Sequence, residues 1–320
     1  MTTLYPLAFQ PIYKEKIWGG RSLERLFGRQ LPPGKPIGES WDLADLEEGV
    51  SIVANGPMAG TSLTELTRDR GGQLLGEAHA WPNGRFPLLL KLLDAQDILS
   101  LQVHPDEQAV EEIPGAALKT ECWYVLESRD GKIYKGVRPG VSPDAFRAAI
   151  EQDRAEDVVR PVGVEAGDFH YLPAGTVHAL GAGVVVAEVQ TPSDTTYRVT
   201  DWGRGREIHL ERSMQCIRFD RTGDEPPGAG ESILLQTPYF VVARRTMIAR
   251  QSQPLPKGRC AALMVLESDG GLSVEHAGDV EPSVKLDAGQ TILLPASLEG
   301  AAIGGSTRAT WLEITFPEKA

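Results

Sequence analysis

His104 and His178 each sit in an otherwise apolar stretch, where a lone imidazole without a partner would be costly to bury. His104 ends I-L-S-L-Q-V-H, in which Ser100, Gln102 and His104 alternate with Leu99, Leu101 and Val103. As a strand, this stretch puts three polar side chains on one face and aliphatic ones on the other. His178 ends G-D-F-H-Y-L-P-A-G-T-V-H, whose glycine, proline and second glycine predict a turn, a short strand and another turn, with His178 opening the next strand. Glu121 lies in a third predicted strand, K-T-E-C-W-Y-V-L from Lys119. Two neutral imidazoles and a carboxylate, with Gln102 beside one of them, satisfy the ligand count of a mononuclear metal site with an open position. An isolated histidine is more often packed or solvated than bound to metal. That plainer reading holds for His79, His209 and His276, and for His170 inside the turn segment.

The elements that must position these residues are mostly strands. F-P-L-L-L-K-L-L from Phe86 reads as a strand buried on both faces, broken only by Lys91, unless that lysine lies at an edge and reaches water along its stem. V-V-V-A-E-V-Q carries Glu188 in a similar setting, and T-T-Y-R-V-T-D-W carries Arg198. Shorter strands are predicted at Gly38 to Leu43 and Val50 to Val53. Helices are few. Leu23, Leu26 and Phe27 fall at helical spacing before Gly28. Ser62 and Glu65 have capping-box spacing, which predicts a helix from Leu63 to the Gly71-Gly72 pair. Ser142-Pro143-Asp144 caps another, with Phe146, Ala149 and Ile150 on its apolar face.

A faint internal repeat organises the whole. V-L-E-S occurs at 125–128 and again at 265–268, and the gap from Gly167 to Pro173 recurs from Gly289 to Pro295. Where the first copy has His178 the second has Gly300, so the second barrel is expected to be free of metal. The reading is a mainly β chain of two related barrels, with a metal-containing unit over 1–217, a polar linker over 218–231 and a C-terminal β domain over 232–320.

The 320 residues and 41% hydrophobic content suffice for two cores. A net charge of −12 argues against nucleic acid or an anionic membrane as partner. Any anionic substrate then needs a local cluster of positive groups. Three widely spaced cysteines without a C-x-x-C pair fit a reducing compartment, and the N-terminus shows no secretory pattern. A soluble cytoplasmic monomer or homodimer is expected.

The spacing from Gly167 to His178 resembles the second motif of the cupin superfamily, whose double-stranded β-barrels of jelly-roll type carry a metal inside. The runs F-P-L-L-L-K-L-L-D-A, L-S-L-Q-V-H-P-D, K-T-E-C-W-Y-V-L, P-A-G-T-V-H-A-L-G and S-D-T-T-Y-R-V-T-D-W resemble, in the same order, the short bacterial type I mannose-6-phosphate isomerases. The likeness covers most of residues 5 to 205 and, more loosely, the C-terminal barrel. It implies one zinc ion on Gln102, His104, Glu121 and His178, an active-site arginine at Arg198, and Lys91, Ser100 and Lys119 in the substrate pocket. It also implies that Glu188 moves the proton, with Lys119 as a second candidate if burial lowers its pKa. Other divalent transition metals suit the same donors. A different class stays open beside it, a metal-bound cupin that binds or senses sugar phosphates without turnover and would not require Glu188 and Arg198. An iron-dependent oxygenase is a weaker third.

Overall fold

The computed structural model describes residues 3–221 and 232–317. Most of the expected linker, 222–231, therefore lies outside the described residues.

Strands dominate, and they form two barrels, each made of two facing antiparallel sheets. In the first, a six-stranded sheet runs in the order Phe169–Leu172, Glu121–Ser128, Val184–Gln190, Leu89–Ala95, Ile37–Leu43 and Ile12–Gly20. A five-stranded sheet faces it, in the order Val159–Gly163, Lys132–Val137, His178–Leu180, Leu101–Val103 and Tyr197–Thr200. The second barrel has a six-stranded and a four-stranded sheet. Its six-stranded sheet includes the N-terminal pair Leu7–Ala8, which joins Thr291–Leu294 through the partners Leu7 with Leu293 and Ala8 with Ile292. The cupin-like, mainly β architecture is thus present with its short helices.

Alternation along the strands explains how the barrels meet. Lys91, Glu121, Trp123 and Glu188 belong to one set of positions in the first six-stranded sheet, and Leu90, Leu92, Cys122, Tyr124, Val185, Ala187 and Val189 to the other. The second set packs with Val242, Ala262, Met264, Leu293, Leu312 and Ile314 of the second barrel in one continuous apolar core. Each fully buried side chain of this kind contributes about 1.5–3 kcal/mol, so the sheet that bears the polar residues is firmly backed.

Local signals account for most boundaries. Ser62 and Glu65 form the expected reciprocal cap, but the helix runs on to Leu75. Arg70 departs from helical geometry just before the glycine pair, so the expected stop is a kink, after which Leu74 and Leu75 are buried. Ser142 caps Pro143–Glu151 by accepting from Ala145 N–H. The apolar run expected as a strand from Phe86 begins at Leu89 instead, after Pro87, which has no N–H to give a ladder. No helix among the described residues is long and apolar enough to cross a membrane.

Candidate metal centre

Strand register assembles the centre. His178 pairs with Gln102 on one side and with Lys135 on the other, and Arg198 lies opposite Gln102. Across the barrel, Glu188 pairs with both Lys91 and Trp123, and Gln190 with Glu121. Residues far apart in sequence thereby converge inside one barrel.

The donor atoms of His104, Glu121 and His178 all lie within 4.8 Å of one another, and all three residues are buried. His104 Nε2 is 3.4 Å from Glu121 Oε2, and His178 Nε2 is 3.2 Å from Glu121 Oε1. The other ring nitrogens face backbone carbonyls, His104 Nδ1 that of Thr195 at 3.1 Å and His178 Nδ1 that of Thr176 at 2.9 Å. A carbonyl only accepts, so each Nδ1 carries the proton and each Nε2 lone pair is aimed at the carboxylate. Burial and the charge of Lys119 push the His104 pKa down to about 3, which keeps that ring neutral. Burial alone would raise the Glu121 carboxyl, but the charge of Lys119 outweighs it and holds it well below its ordinary range. Lys119 Nζ lies 3.1 Å from Glu121 Oε2, yet neither carboxylate oxygen nor His104 Nε2 receives a well-directed hydrogen bond.

Three buried acceptors aimed at one another would repel in a low-dielectric interior. A shared cation removes that cost. Ligand atoms about 2.0–2.1 Å from one tetrahedral ion lie roughly 3.3 Å apart, close to both Nε2-to-oxygen distances here. The Gln102 amide nitrogen is 3.3 Å from His178 Nε2. Rotation of that amide by half a turn would offer its oxygen in nearly the same place. The donor set therefore fits a divalent transition metal.

Above the cluster opens a cavity of about 270 Å³, walled by Gln102 and Lys119, which also touch the cluster, and by Lys91, Ser100, Glu188 and Arg198. Every ligand, pocket or catalytic candidate from the sequence is thus in the centre or its wall. Lys91 is fully buried rather than reaching water, with its ammonium 3.1 Å from Glu188 Oε1. Burial works against its charge, but Glu188 and Glu39 more than restore it and its pKa is raised. Glu188 also accepts a 2.8 Å bond from Trp123 Nε1. Burial and the charge of Glu121 raise the Glu188 pKa against the pull of Lys91 and Lys119. Arg198 forms no ion pair with Asp201, which Arg204 and Arg206 occupy. One of its terminal nitrogens donates to the Glu207 carbonyl at 2.6 Å, and its Nε is buried without a partner.

Some residues of the wall carried no flag in the sequence. Glu39 is buried between Lys16, at 2.9 Å, and Lys91, at 3.8 Å, with Trp41 Nε1 donating to it at 2.7 Å. Burial would raise its pKa, but the two lysines bring it to about 2. Its strand, I-G-E-S-W-D-L, also holds Ser40 and Asp42, so this glutamate does not stand out as Lys91 does in its aliphatic run. Trp18 lines the cavity and is buried. Gly19 and Gly38 let two backbones touch there, since a Cβ on Gly19 would come within 2.4 Å of Gly38 N. Arg206 reaches the wall from an irregular loop that no periodicity marks. His170 lies apart, opposite Trp123 on the adjoining strand, and burial with nearby Lys135 lowers its pKa to about 4.

Comparison with known proteins agrees with this geometry. The phosphomannose isomerase type I catalytic domain matches residues 7–137. The chain is 33% identical over 317 residues to a probable mannose-6-phosphate isomerase of Bacillus subtilis, spanning 94% of this chain and 97% of that one. It is 42% identical over 260 residues to a mannose-6-phosphate isomerase of the same organism, with 76% and 79% covered. A crystal structure of the mannose 6-phosphate isomerase from Bacillus subtilis superposes with a TM-score of 0.85 at 30% identity, over 97% of this chain and 99% of that one. On sequence, fold and the His-Glu-His cluster together, this chain belongs to the type I phosphomannose isomerase family.

Proposed function

We propose that this isomerase interconverts mannose 6-phosphate and fructose 6-phosphate with one zinc ion held by His104, Glu121, His178 and Gln102. The observation that carries the proposal is the pair of imidazoles whose Nδ1 protons are committed to backbone carbonyls, so that both Nε2 lone pairs face a buried carboxylate. When bound, zinc supplies a Lewis acid that lowers the cost of negative charge on a substrate oxygen.

The reaction moves a proton between adjacent carbons by way of an enediolate, so it needs a base on one face and donors for the developing oxyanion. Glu188 is the base in this reading. Its raised pKa favours taking a proton at neutral pH, and Lys91 with Trp123 fixes its orientation. Arg198 offers the guanidinium donors that Glu207 leaves over, to the enediolate or to the phosphate. Lys119 holds Glu121 ionised and places an ammonium beside the reacting oxygens. Ser100 presents a hydroxyl to the sugar from the cavity wall. The unit over 1–217 is read as carrying the chemistry, with 232–320 as a metal-free β domain.

A coupled assay on mannose 6-phosphate before and after chelation tests the proposal, with activity expected to vanish and to return when zinc is restored. Unchanged turnover in metal-free protein would refute it. Arg198→Ala is expected to lower kcat far more than it raises KM.

A further inference from the structure

Both histidines are held from behind by one small network, and its centre is an ion pair outside the cavity. Arg218 Nε donates to Asp106 Oδ2 and Nη2 to Asp106 Oδ1, each at 2.7 Å, with the two side chains largely buried. Asp106 stands two residues after His104 and also caps the helix Glu107–Glu112 by accepting from Ala109 N–H at 3.0 Å. Between them, Pro105 O accepts the Lys119 N–H at 3.1 Å.

Arg218 reaches the second histidine through backbone. Its own N–H donates to Gly175 O at 2.9 Å, while Gly175 N–H donates to His104 O at 2.9 Å. Next in the chain is Thr176, whose carbonyl takes the His178 Nδ1 proton. Gly175 has φ +87°, and a Cβ there would come within 2.6 Å of Arg218 Cγ and 3.1 Å of Cys216 O. The turn before His178 is therefore seated directly on Arg218, which a side chain at 175 would push away.

We propose that the Asp106–Arg218 pair is a positioning pair for the metal centre, fixing the backbone after His104 and the carbonyl that orients His178. The inference rests on the reading of His104, Glu121 and His178 as ligands. A bidentate pair suits the task because its two parallel bonds fix orientation as well as distance, and groups that orient metal-bound histidines set how tightly the ion is held.

The test uses the full chain loaded with Zn²⁺ and titrated with a competing chelator, reading the free chelator needed to remove half the zinc. Arg218→Ala and Asp106→Asn are expected to hold zinc about 10- to 100-fold more weakly than the wild type. Asn keeps the helix cap, so Asp106→Asn isolates the ion pair. Arg218→Lys is expected to recover only part of the loss, since an ammonium cannot reproduce the fork. Arg245→Ala, which breaks the Arg245–Glu313 pair of the second barrel, should retain zinc as the wild type does. The Tm of each metal-free protein is measured alongside. Zinc retention within twofold of wild type in Asp106→Asn and Arg218→Lys, with only the Tm lowered, would make the pair merely structural and overturn the inference. Equal zinc retention by the wild type and His178→Ala would instead sink the ligand reading, and this inference with it.

Discussion

The two barrels run the same sheet with different interiors. Glu121–Ser128 and Ala261–Ser268 are both eight residues long, both end in V-L-E-S, and each pairs with a seven-residue strand, Val184–Gln190 and Ala309–Thr315 respectively. Glu188 sits between Lys91 and Trp123, while Glu313 sits between Ala243 and Leu263. Ala261 stands where Glu121 does, and Gly300 matches His178 in the repeat. The second interior is filled by Leu263, Val265, Leu272, Val274, Ile292, Ile303 and Trp311. In the first, Trp18, Leu93, Trp123, Val125, Val184 and Val186 form an apolar cluster, and charged groups occupy the rest. The scaffold tolerates either interior because strand pairing is a backbone property, whereas the chemistry depends on a few inward positions.

The sharpest way to break the contrast is to give the first barrel a residue of the second. Glu121→Ala should remove zinc binding and lower kcat/KM on the order of 1,000-fold or more. Metal-free Glu121→Ala should also unfold at a lower temperature than the metal-free parent, because the buried Lys119 ammonium loses the carboxylate 3.1 Å away. An unchanged Tm in the metal-free variant would contradict that account of the Lys119–Glu121 pair.

The two equivalent glutamates offer a paired test. Glu188→Gln should reduce kcat by roughly 100- to 10,000-fold with zinc still bound, as expected for loss of a general base. Glu313→Gln should leave kcat unchanged. A similar small effect in both would make Glu188 a scaffolding residue rather than the base.

Acid sensitivity should also separate the barrels. Glu39 has a pKa of about 2 in the fold, against an ordinary value of 4.5. Its carboxylate therefore adds stability above pH 4.5 that is lost as the pH falls towards 2, in total about 3 kcal/mol. The corresponding strand of the second barrel, Ile233–Gln236, reads I-L-L-Q and has no acid to lose. Acid unfolding of metal-free Glu39→Gln, followed by circular dichroism, should be flatter over that window than in the parent. The smallest effect belongs to Arg245→Ala. That pair is partly exposed, so a stability change within about 1 kcal/mol and unaltered turnover are expected.

The legibility of the site follows the same division. His104, Glu121 and His178 could be picked out because a polar side chain in an apolar strand is conspicuous, and Lys91 and Glu188 were marked for that reason too. Glu39 did not stand out, because Ser40 and Asp42 make its strand look polar although the whole of it is buried. Arg206 and Asp106 carried none, since a loop arginine and a helix cap are ordinary residues until the chain folds. The helix end at Gly71 was misplaced because burial of Leu74 and Leu75 outweighed the local stop.

Composition, strand alternation and the repeated V-L-E-S were enough by themselves to indicate a two-barrel β protein with metal-ligand candidates in the first copy only. Which nitrogen of each imidazole faces the carboxylate, that Lys91 is shared by Glu39 and Glu188, and that Arg218 lies behind both histidines were decided only by the tertiary structure. The physical reason is range. Alternation and capping act between near neighbours along the chain, whereas the direction of a lone pair or the partner of a buried charge depends on strand registers joining residues far apart in sequence.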